Sequence, residues 1–125
     1  MIEKTHPITV NLVSMALDAA SMRHQAISMN IANATNPNYR PVRVSFEDQL
    51  TAAREALQAG QTVDSRNLFG VSPKMINDPT LTGGQASLDI QTAELAKNTL
   101  HYQALLKGLS KHLSIVSTVI NEGKR

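Results

Sequence analysis

Cysteine and tryptophan are absent from the 125 residues, and phenylalanine and tyrosine occur only twice each. Without cysteine the chain can form neither disulfide bonds nor thiolate metal sites. The apolar content of 42% therefore rests almost entirely on Leu, Ile, Val, Ala and Met. That composition suits helices packed on helices better than a sheet core built from aromatic and β-branched residues. We expect a mainly α-helical protein.

Sequence signals of membrane insertion and of catalysis are also missing. No run of about eighteen apolar residues occurs, and residues 1–7 lack the apolar segment of a secretory signal. We therefore expect neither an integral membrane protein nor a cleaved signal peptide. No P-loop, G-x-S-x-G or G-x-G-x-x-G motif occurs. The histidines form no pair spaced four residues apart, so the sequence predicts no enzyme, no cofactor and no metal site; they are His6, His24, His101 and His112.

The net charge of +2 is unevenly distributed. From residue 97 onward there are five basic residues and one acidic residue, a surplus of 5 − 1 = +4. Basic residues near a helix C-terminus complement the helix dipole and keep a surface soluble. The alternative is a small basic helical module that binds nucleic acid or an acidic protein partner. Nucleic-acid binding would need a denser basic face with stacking aromatics, and only Tyr102 lies in this half; we expect none.

The N-terminal half contains a long helical pattern, which predicts a helix over residues 8–34, preceded by a loose segment that ends at Pro7. One apolar seam advances in steps of four and three residues, and a second apolar stripe lies beside it. Two adjacent apolar faces indicate packing partners on both. The seam is Val13, Leu17, Ala20, His24, Ile27, Ile31 and Ala34; the stripe is Leu12, Met15, Ala19, Met22, Ala26 and Met29.

A proline and four asparagines end this helix. Pro37 biases Asn36 away from helical geometry and fits the second position of a type II turn. Asn38 would then adopt positive φ, which asparagine tolerates. Asn30 and Asn33 have two interpretations: ordinary capping of the helix C-terminus, or amide bonds to the backbone of an adjacent subunit that fix its register. Tyr39 is expected to anchor the turn, with its hydroxyl at a polar edge.

The middle of the chain, residues 35–87, has weaker signals. Residues 35–44 are expected to form the turn and an extended segment in which Val42 and Val44 alternate with Arg43. A short helix over 45–59 is predicted next, with Ser45 as its cap and Asp48 at capping-box spacing. Gly60 would lie just past its end. Residues 61–87 are expected to form an irregular mobile loop, with a short hairpin around 68–76. The apolar face of the short helix would be Phe46, Leu50, Ala53 and Leu57.

The C-terminal segment predicts a second long helix over residues 88–122, with Asp89 as N-cap. Its seam keeps the spacing of four and three for more than four heptads. The seam is Thr92, Leu95, Thr99, Tyr102, Leu106, Leu109, Leu113, Val116 and Ile120. A second apolar strip accompanies it and consists of Ala93, Ala96, Leu100, Ile115 and Val119.

Two heptad helices at the ends of one small domain, residues 1–125, predict an antiparallel coiled-coil-like hairpin with a short middle helix and an irregular loop region. Both helices carry more apolar surface than a hairpin can bury, and a surplus of that kind marks an interaction surface. We expect the terminal helices to be incompletely ordered in the monomer and to order as copies assemble into a tubular array.

The run Asn30-Ile31-Ala32-Asn33-Ala34, followed by Pro37 and Tyr39, resembles the N-I-A-N-A-x-x-P-x-Y motif of the bacterial flagellar axial proteins that build the basal-body rod. The usual T-P-G-Y is replaced here by Asn36-Pro37-Asn38-Tyr39. Residues 98–103, Asn-Thr-Leu-His-Tyr-Gln, stand where the family has N-S-L-x-Y-Q. The short length without a large inserted domain is most similar to proximal rod members, and argues against distal rod or hook types.

This resemblance implies a structural subunit of the flagellar basal-body rod that assembles through its terminal helices and transmits motor torque. It implies export through the flagellar type III apparatus without a cleaved signal, to the rod in the periplasm. Implied partners are further copies, other rod subunits, membrane-ring or export-gate adaptor proteins and the export apparatus. Phe46 and Leu50 resemble a short export-gate recognition pattern, although a core pair is equally spaced. The expected assembly residues are Ile27, Asn30, Ile31, Asn33, Pro37, Asn38, Tyr39, Tyr102, Leu106, Leu109, Leu113, Val116 and Ile120.

Overall fold

The computed structural model describes residues 2–60, 70–81 and 88–123, with the side chains of residues 2–6 excepted. The chain is mainly helical, as predicted. In order, the described residues form α1 (Ile2–Ala32), β1 (Val42–Ser45), α2 (Glu47–Gln58), β2 (Lys74–Asn77) and α3 (Leu88–Gly123).

The two long helices lie side by side and antiparallel. Asn30, near the end of α1, contacts Gln91 at the start of α3, while Ala20 lies opposite Asn98 further along. At about 1.5 Å per residue, the 31 residues of α1 span about 46 Å and the 36 residues of α3 about 54 Å. The predicted hairpin of terminal helices is confirmed.

The second face of α1 packs on the middle of the chain. Ala19 and Ala26, each 1% exposed, form a buried cluster with Val44, Phe46 and Val71. Alanines on α1 let the sheet approach its backbone closely. The two partners predicted for α1 are therefore both supplied by its own chain: α3 on one face, and β1, α2 and β2 on the other.

The strand pairing corrects the prediction for residues 61–87. A local hairpin was expected around 68–76, but β2 pairs antiparallel with β1, about thirty residues earlier, with Val44 opposite Met75. Val71, just before β2, is 6% exposed and belongs to the core. The other parts of the predicted loop, 61–69 and 82–87, lie outside the described residues.

The beginnings of all three helices differ from the predictions. The loose segment predicted for residues 1–7 is wrong from Ile2 onward, because α1 begins there and contains Pro7. A proline near a helix start removes one hydrogen bond and already has helical φ. Asp89 is not an N-cap, because α3 begins at Leu88 and places Asp89 inside its first turn. There its carboxylate complements the helix dipole.

The predicted capping box of α2 is also wrong. Phe46 occupies the N-cap position and makes no side-chain capping bond to a described residue. Ser45 ends β1, and its carbonyl accepts a bond from the Gln49 side chain at 3.0 Å. Asp48 instead pairs with Arg43 at 3.1 Å. The burial of Phe46 at 3% exposure outweighs the capping preference of its neighbour.

The C-terminal end of α2 follows the prediction at Gly60 and departs from it at Leu57. Gly60 has φ of 81° and donates its N–H to the Leu57 carbonyl at 3.1 Å. That left-handed conformation favours glycine. Leu57 was placed on the apolar face but is 50% exposed, so the packed face of α2 ends at Ala53.

Candidate assembly surfaces and the turn that supports them

Asn30 joins α1 to three other parts of the chain. Its side-chain nitrogen donates to the Val42 carbonyl at 2.9 Å and to Gln91 Oε1 at 3.3 Å. Its side-chain oxygen accepts from the Val42 N–H at 2.9 Å and from the Tyr39 hydroxyl at 3.2 Å. These four bonds use both amide atoms of a residue that is only 5% exposed.

Asn30 therefore matches neither of its two predicted interpretations. It is not an exposed cap, and its amide has no bonding capacity left for the backbone of another subunit. It satisfies both backbone groups of Val42, where β1 begins on the side away from β2. Since an unsatisfied buried backbone group costs about 1–3 kcal/mol, Asn30 fixes where the strand starts.

Asn33 and the turn behind it form a second set of local bonds. The Asn33 side chain donates to the Met29 carbonyl at 2.8 Å, which is the capping interpretation. Asn36 Oδ1 accepts the Asn38 N–H at 3.0 Å, and the Asn36 carbonyl accepts the Tyr39 N–H at 3.1 Å. Among the described residues only Gly60 has positive φ, so the predicted type II turn with Asn38 at positive φ is wrong. The turn closes without glycine because Asn36 forms an Asx turn.

Tyr39 anchors this turn as predicted. Its ring is half-buried, and its hydroxyl donates to Asn30 Oδ1. Desolvation by burial raises the pKa of Tyr39 above its usual value of 10.0. The hydroxyl therefore remains a neutral donor at physiological pH.

A second buried amide fixes the two long helices relative to each other. Asn98 is 5% exposed, and its nitrogen donates to the Ala20 carbonyl at 2.7 Å. Its side-chain oxygen is buried and accepts no hydrogen bond from a described residue. Together with the Asn30–Gln91 bond, this contact sets the antiparallel register, since sliding either helix would leave these amides unpaired.

The face of α3 that packs on α1 is offset from the predicted seam. The buried residues of α3 are Gln91, Asn98 and Val116. Leu95 and Leu109 are half-buried, but much of the predicted seam is exposed. The exposed large apolar members form a surface that we call the neutral strip: Tyr102 (37% exposed), Leu106 (43%), Leu113 (45%) and Ile120 (52%).

Apolar side chains beside the turn and on α1 are better covered than this strip. Ile27 is 6% exposed and Ile31 is half-buried. His24 lies in the predicted α1 seam but is exposed. Of the expected assembly residues, Ile27, Asn30 and Val116 are therefore engaged inside the chain, whereas Pro37, Asn38 and the neutral strip face outward.

The pair resembling an export pattern lies in the core. Phe46 belongs to the buried cluster, and Leu50 packs against it. Phe46 is buried and Leu50 half-buried, so a receptor could not bind the two side chains together while this cluster is intact. Recognition through this pair would require an unfolded chain.

An ion pair ties the same segment to α1. Arg23 Nη2 donates to both carboxylate oxygens of Glu47, at 2.9 and 2.8 Å.

Within the described residues no group of three or more His, Cys, Asp or Glu side chains is placed to hold a metal ion. In the same part of the chain no helix combines the length and apolar character needed to cross a membrane.

Curated bacterial relatives match most of this chain. It is 28% identical over 123 residues to "Flagellar basal body rod protein FlgB" of Bacillus subtilis (strain 168), covering 93% of this chain and 95% of that protein. Proteins of the same name from Cereibacter sphaeroides and Escherichia coli (strain K12) are 27% and 23% identical, and each match covers 86% of this chain and 89% of the relative. No family model matches the chain.

Proposed function

Because this chain is homologous to the flagellar basal body rod proteins, we propose that it is a structural subunit of the proximal flagellar rod and assembles through its terminal helices. The observation that carries the proposal is the neutral strip on α3. Four large apolar side chains at heptad-like spacing face solvent on the helix that also forms the hairpin. Contiguous exposed apolar surface of this kind marks protein interaction sites.

The surroundings of the neutral strip suit a protein partner. Thr99, Gln103, Ser110 and Ser117 flank it along the same helix, and all four are exposed. An apolar centre with a polar, uncharged rim is the usual anatomy of a protein interface. Pro37 and Asn38 are exposed at the turn after α1, near the start of α3 and away from the neutral strip, and offer a second surface that neighbouring subunits can contact.

The proposed work of the protein is mechanical. Neighbouring copies and other rod subunits would cover the neutral strip, and interlocked helices of about 50 Å would resist twisting. Such an array transmits motor torque without any bond-making residue. The subunit would occupy the periplasmic part of the basal body, next to membrane-ring or export-gate adaptor proteins.

Burial of Phe46 and Leu50 supports export in an unfolded state. The type III apparatus would meet both side chains exposed, and folding after export would bury them in the α1 core. No cleaved signal is needed for this route. The pair would thus serve first in recognition and afterwards in packing.

Loss of the neutral strip tests the assembly proposal. Replacing Leu106 and Leu113 by Gln, in a bacterium lacking its own copy of the gene, should abolish swimming and leave basal bodies without a complete rod. Both side chains are more than 40% exposed, so the purified variant should keep the helical circular dichroism of the wild type. Normal swimming by a variant that accumulates at the wild-type level would overturn the proposal.

The matched control changes polar positions on the same helix. Ser114→Gln combined with Thr118→Gln alters two exposed side chains outside the neutral strip and its rim, without removing apolar surface. Swimming should be unaffected in this control. A loss of swimming in both strains would point to a general defect of α3.

A further inference from the structure

The face of α3 that points away from α1 carries a second exposed seam, which we call the outer seam. Two residues along a helix rotate a side chain by about 200°, so Leu100 points almost opposite to Asn98, which contacts α1. Leu100 is 68% exposed, more than any other large apolar residue of the described chain. The outer seam consists of Asp89, Ala93, Ala96, Leu100, Ala104, Lys107 and Lys111, and all seven are exposed.

The spacing of the outer seam is symmetric about Leu100. Successive members are separated by 4, 3, 4, 4, 3 and 4 residues. If two such helices cross antiparallel with their Leu100 residues together, residue n of one faces residue 200 − n of the other. Asp89 then faces Lys111 at both ends of the contact, and Ala96 faces Ala104 on either side of the centre.

We infer that the outer seam pairs with the outer seam of a second copy of this chain, antiparallel and across a two-fold axis at Leu100. The charges support this occupant, because each copy presents an acid at one end and a base at the mirrored position. Asp89, Lys107 and Lys111 form no ion pair with any described residue. Each is therefore available to a partner.

The antiparallel arrangement is favoured over a parallel one by the same charges. In parallel register Asp89 would face Asp89 and each lysine would face its own copy, which is repulsive. A staggered parallel contact could place Asp89 beside a lysine at only one end. The antiparallel contact forms the pair twice and also opposes the two helix dipoles favourably.

Small side chains let the two helices approach closely. Ala93, Ala96 and Ala104 surround Leu100, so two Leu100 side chains can pack between facing alanines. The overlap from residue 89 to residue 111 is about 33 Å long. One helix pair of this length buries less than a standard interface of about 1,600 Å², so the dimer should be reversible.

This dimer is independent of the proposed rod function. Leu106 lies six residues from Leu100, a rotation of about 240°, so the neutral strip stays uncovered when the outer seams pair. The pairing is closed, because a two-fold contact uses the same patch on both copies. It describes a two-copy form of the free subunit.

Cysteine cross-linking tests the two-fold axis directly, because the chain has no cysteine of its own. Leu100→Cys, purified and mildly oxidised, should form disulfide-linked dimers about tenfold faster than Gln103→Cys or more, since pairing raises the effective concentration of its two thiols. Gln103 is also exposed but lies outside the outer seam. Equal rates for the two variants would overturn the inference, whatever the swimming phenotype of either strain.

Charge variants test the pairing with Leu100 intact. Sedimentation equilibrium should show the dimer dissociation constant raised about tenfold in Lys111→Glu, because two exposed ion pairs become repulsive. Adding Asp89→Lys to the same chain should restore the wild-type dimer, as the charges are exchanged. An unchanged dissociation constant in Lys111→Glu, or no recovery in the double variant, would contradict the arrangement.

Discussion

The two long helices, α1 and α3, have similar heptad patterns but very different surroundings. In α1 the buried residues follow one another closely along the second half, from Ala19 to Asn30, because α3 covers one face and the sheet with α2 covers another. In α3 only Gln91, Asn98 and Val116 are buried. The same kind of pattern thus makes a core in one helix and an exposed surface in the other.

This difference shows where the surplus apolar surface of the chain lies. Among the described residues, β1 and the buried cluster lie against α1, and α1 is the element on which α3 chiefly packs. Two of the three buried residues of α3, Gln91 and Asn98, have amide side chains. These amides fix the register of the helices and add little hydrophobic stabilisation. Most of the large apolar side chains of α3 are therefore exposed.

The largest expected effect is loss of the α1 core. Phe46→Ala should lower the free energy of unfolding by about 3–5 kcal/mol, because it leaves a cavity between α1 and β1. Chemical denaturation followed by circular dichroism measures this. A cost below about 1 kcal/mol would mean that the middle of the chain does not pack firmly on α1.

A matched pair of substitutions compares the helices directly. Ile27→Ala in α1 should lower the free energy of unfolding by about 2–4 kcal/mol, whereas Leu113→Ala in α3 should lower it by less than about 1 kcal/mol. The reason is their exposure, 6% for Ile27 and 45% for Leu113. If the two substitutions lowered the free energy of unfolding of the dilute monomer equally, α1 and α3 would not differ in how well the chain covers them.

The two asparagines of the turn motif should also differ. Asn30→Ala leaves the N–H and carbonyl of Val42 without their partner. It should therefore lower the free energy of unfolding by about 2–3 kcal/mol. Asn33→Ala loses one bond to the Met29 carbonyl at an exposed site and should cost less than about 1 kcal/mol. If thermal unfolding ranks them in the opposite order, Asn30 does not fix the start of β1.

The smallest expected effect is a gain. A Cβ added at Gly108, in the middle of α3, would meet nothing within 4 Å. Gly108→Ala should therefore stabilise the monomer by about 1 kcal/mol through helix propensity alone. A loss of stability in the dilute monomer would show that this face of α3 is already packed within the chain.

Much of the fold could be predicted from the sequence because its strongest signals are local. Heptad spacing located both long helices, and alternation at Val42 and Val44 located β1. The strand β2 could not be predicted, since its four residues have no clear alternation and its partner is about thirty residues away. Local patterns carry no information about such a pairing.

The sequence identified residues of the candidate site but did not predict which contacts they make. The motif drew attention to Asn30 and Tyr39, but their bonds to each other and to Val42 depend on how the chain folds back after the turn. Periodicity likewise located apolar positions on α3 without showing which of them face α1. Asn98 and Gln91, both polar, take buried places there because α1 offers a backbone carbonyl and an amide.

Amide hydrogen exchange of the dilute monomer tests the central claim most directly. We predict slow exchange in α1 between residues 19 and 31 and fast exchange in α3 between residues 104 and 120, because α1 is covered on two faces whereas Val116 is the one buried residue in that stretch of α3. Assembly into rods should then slow exchange in α3. Equal protection of both helices in the monomer, unchanged on assembly, would contradict the account.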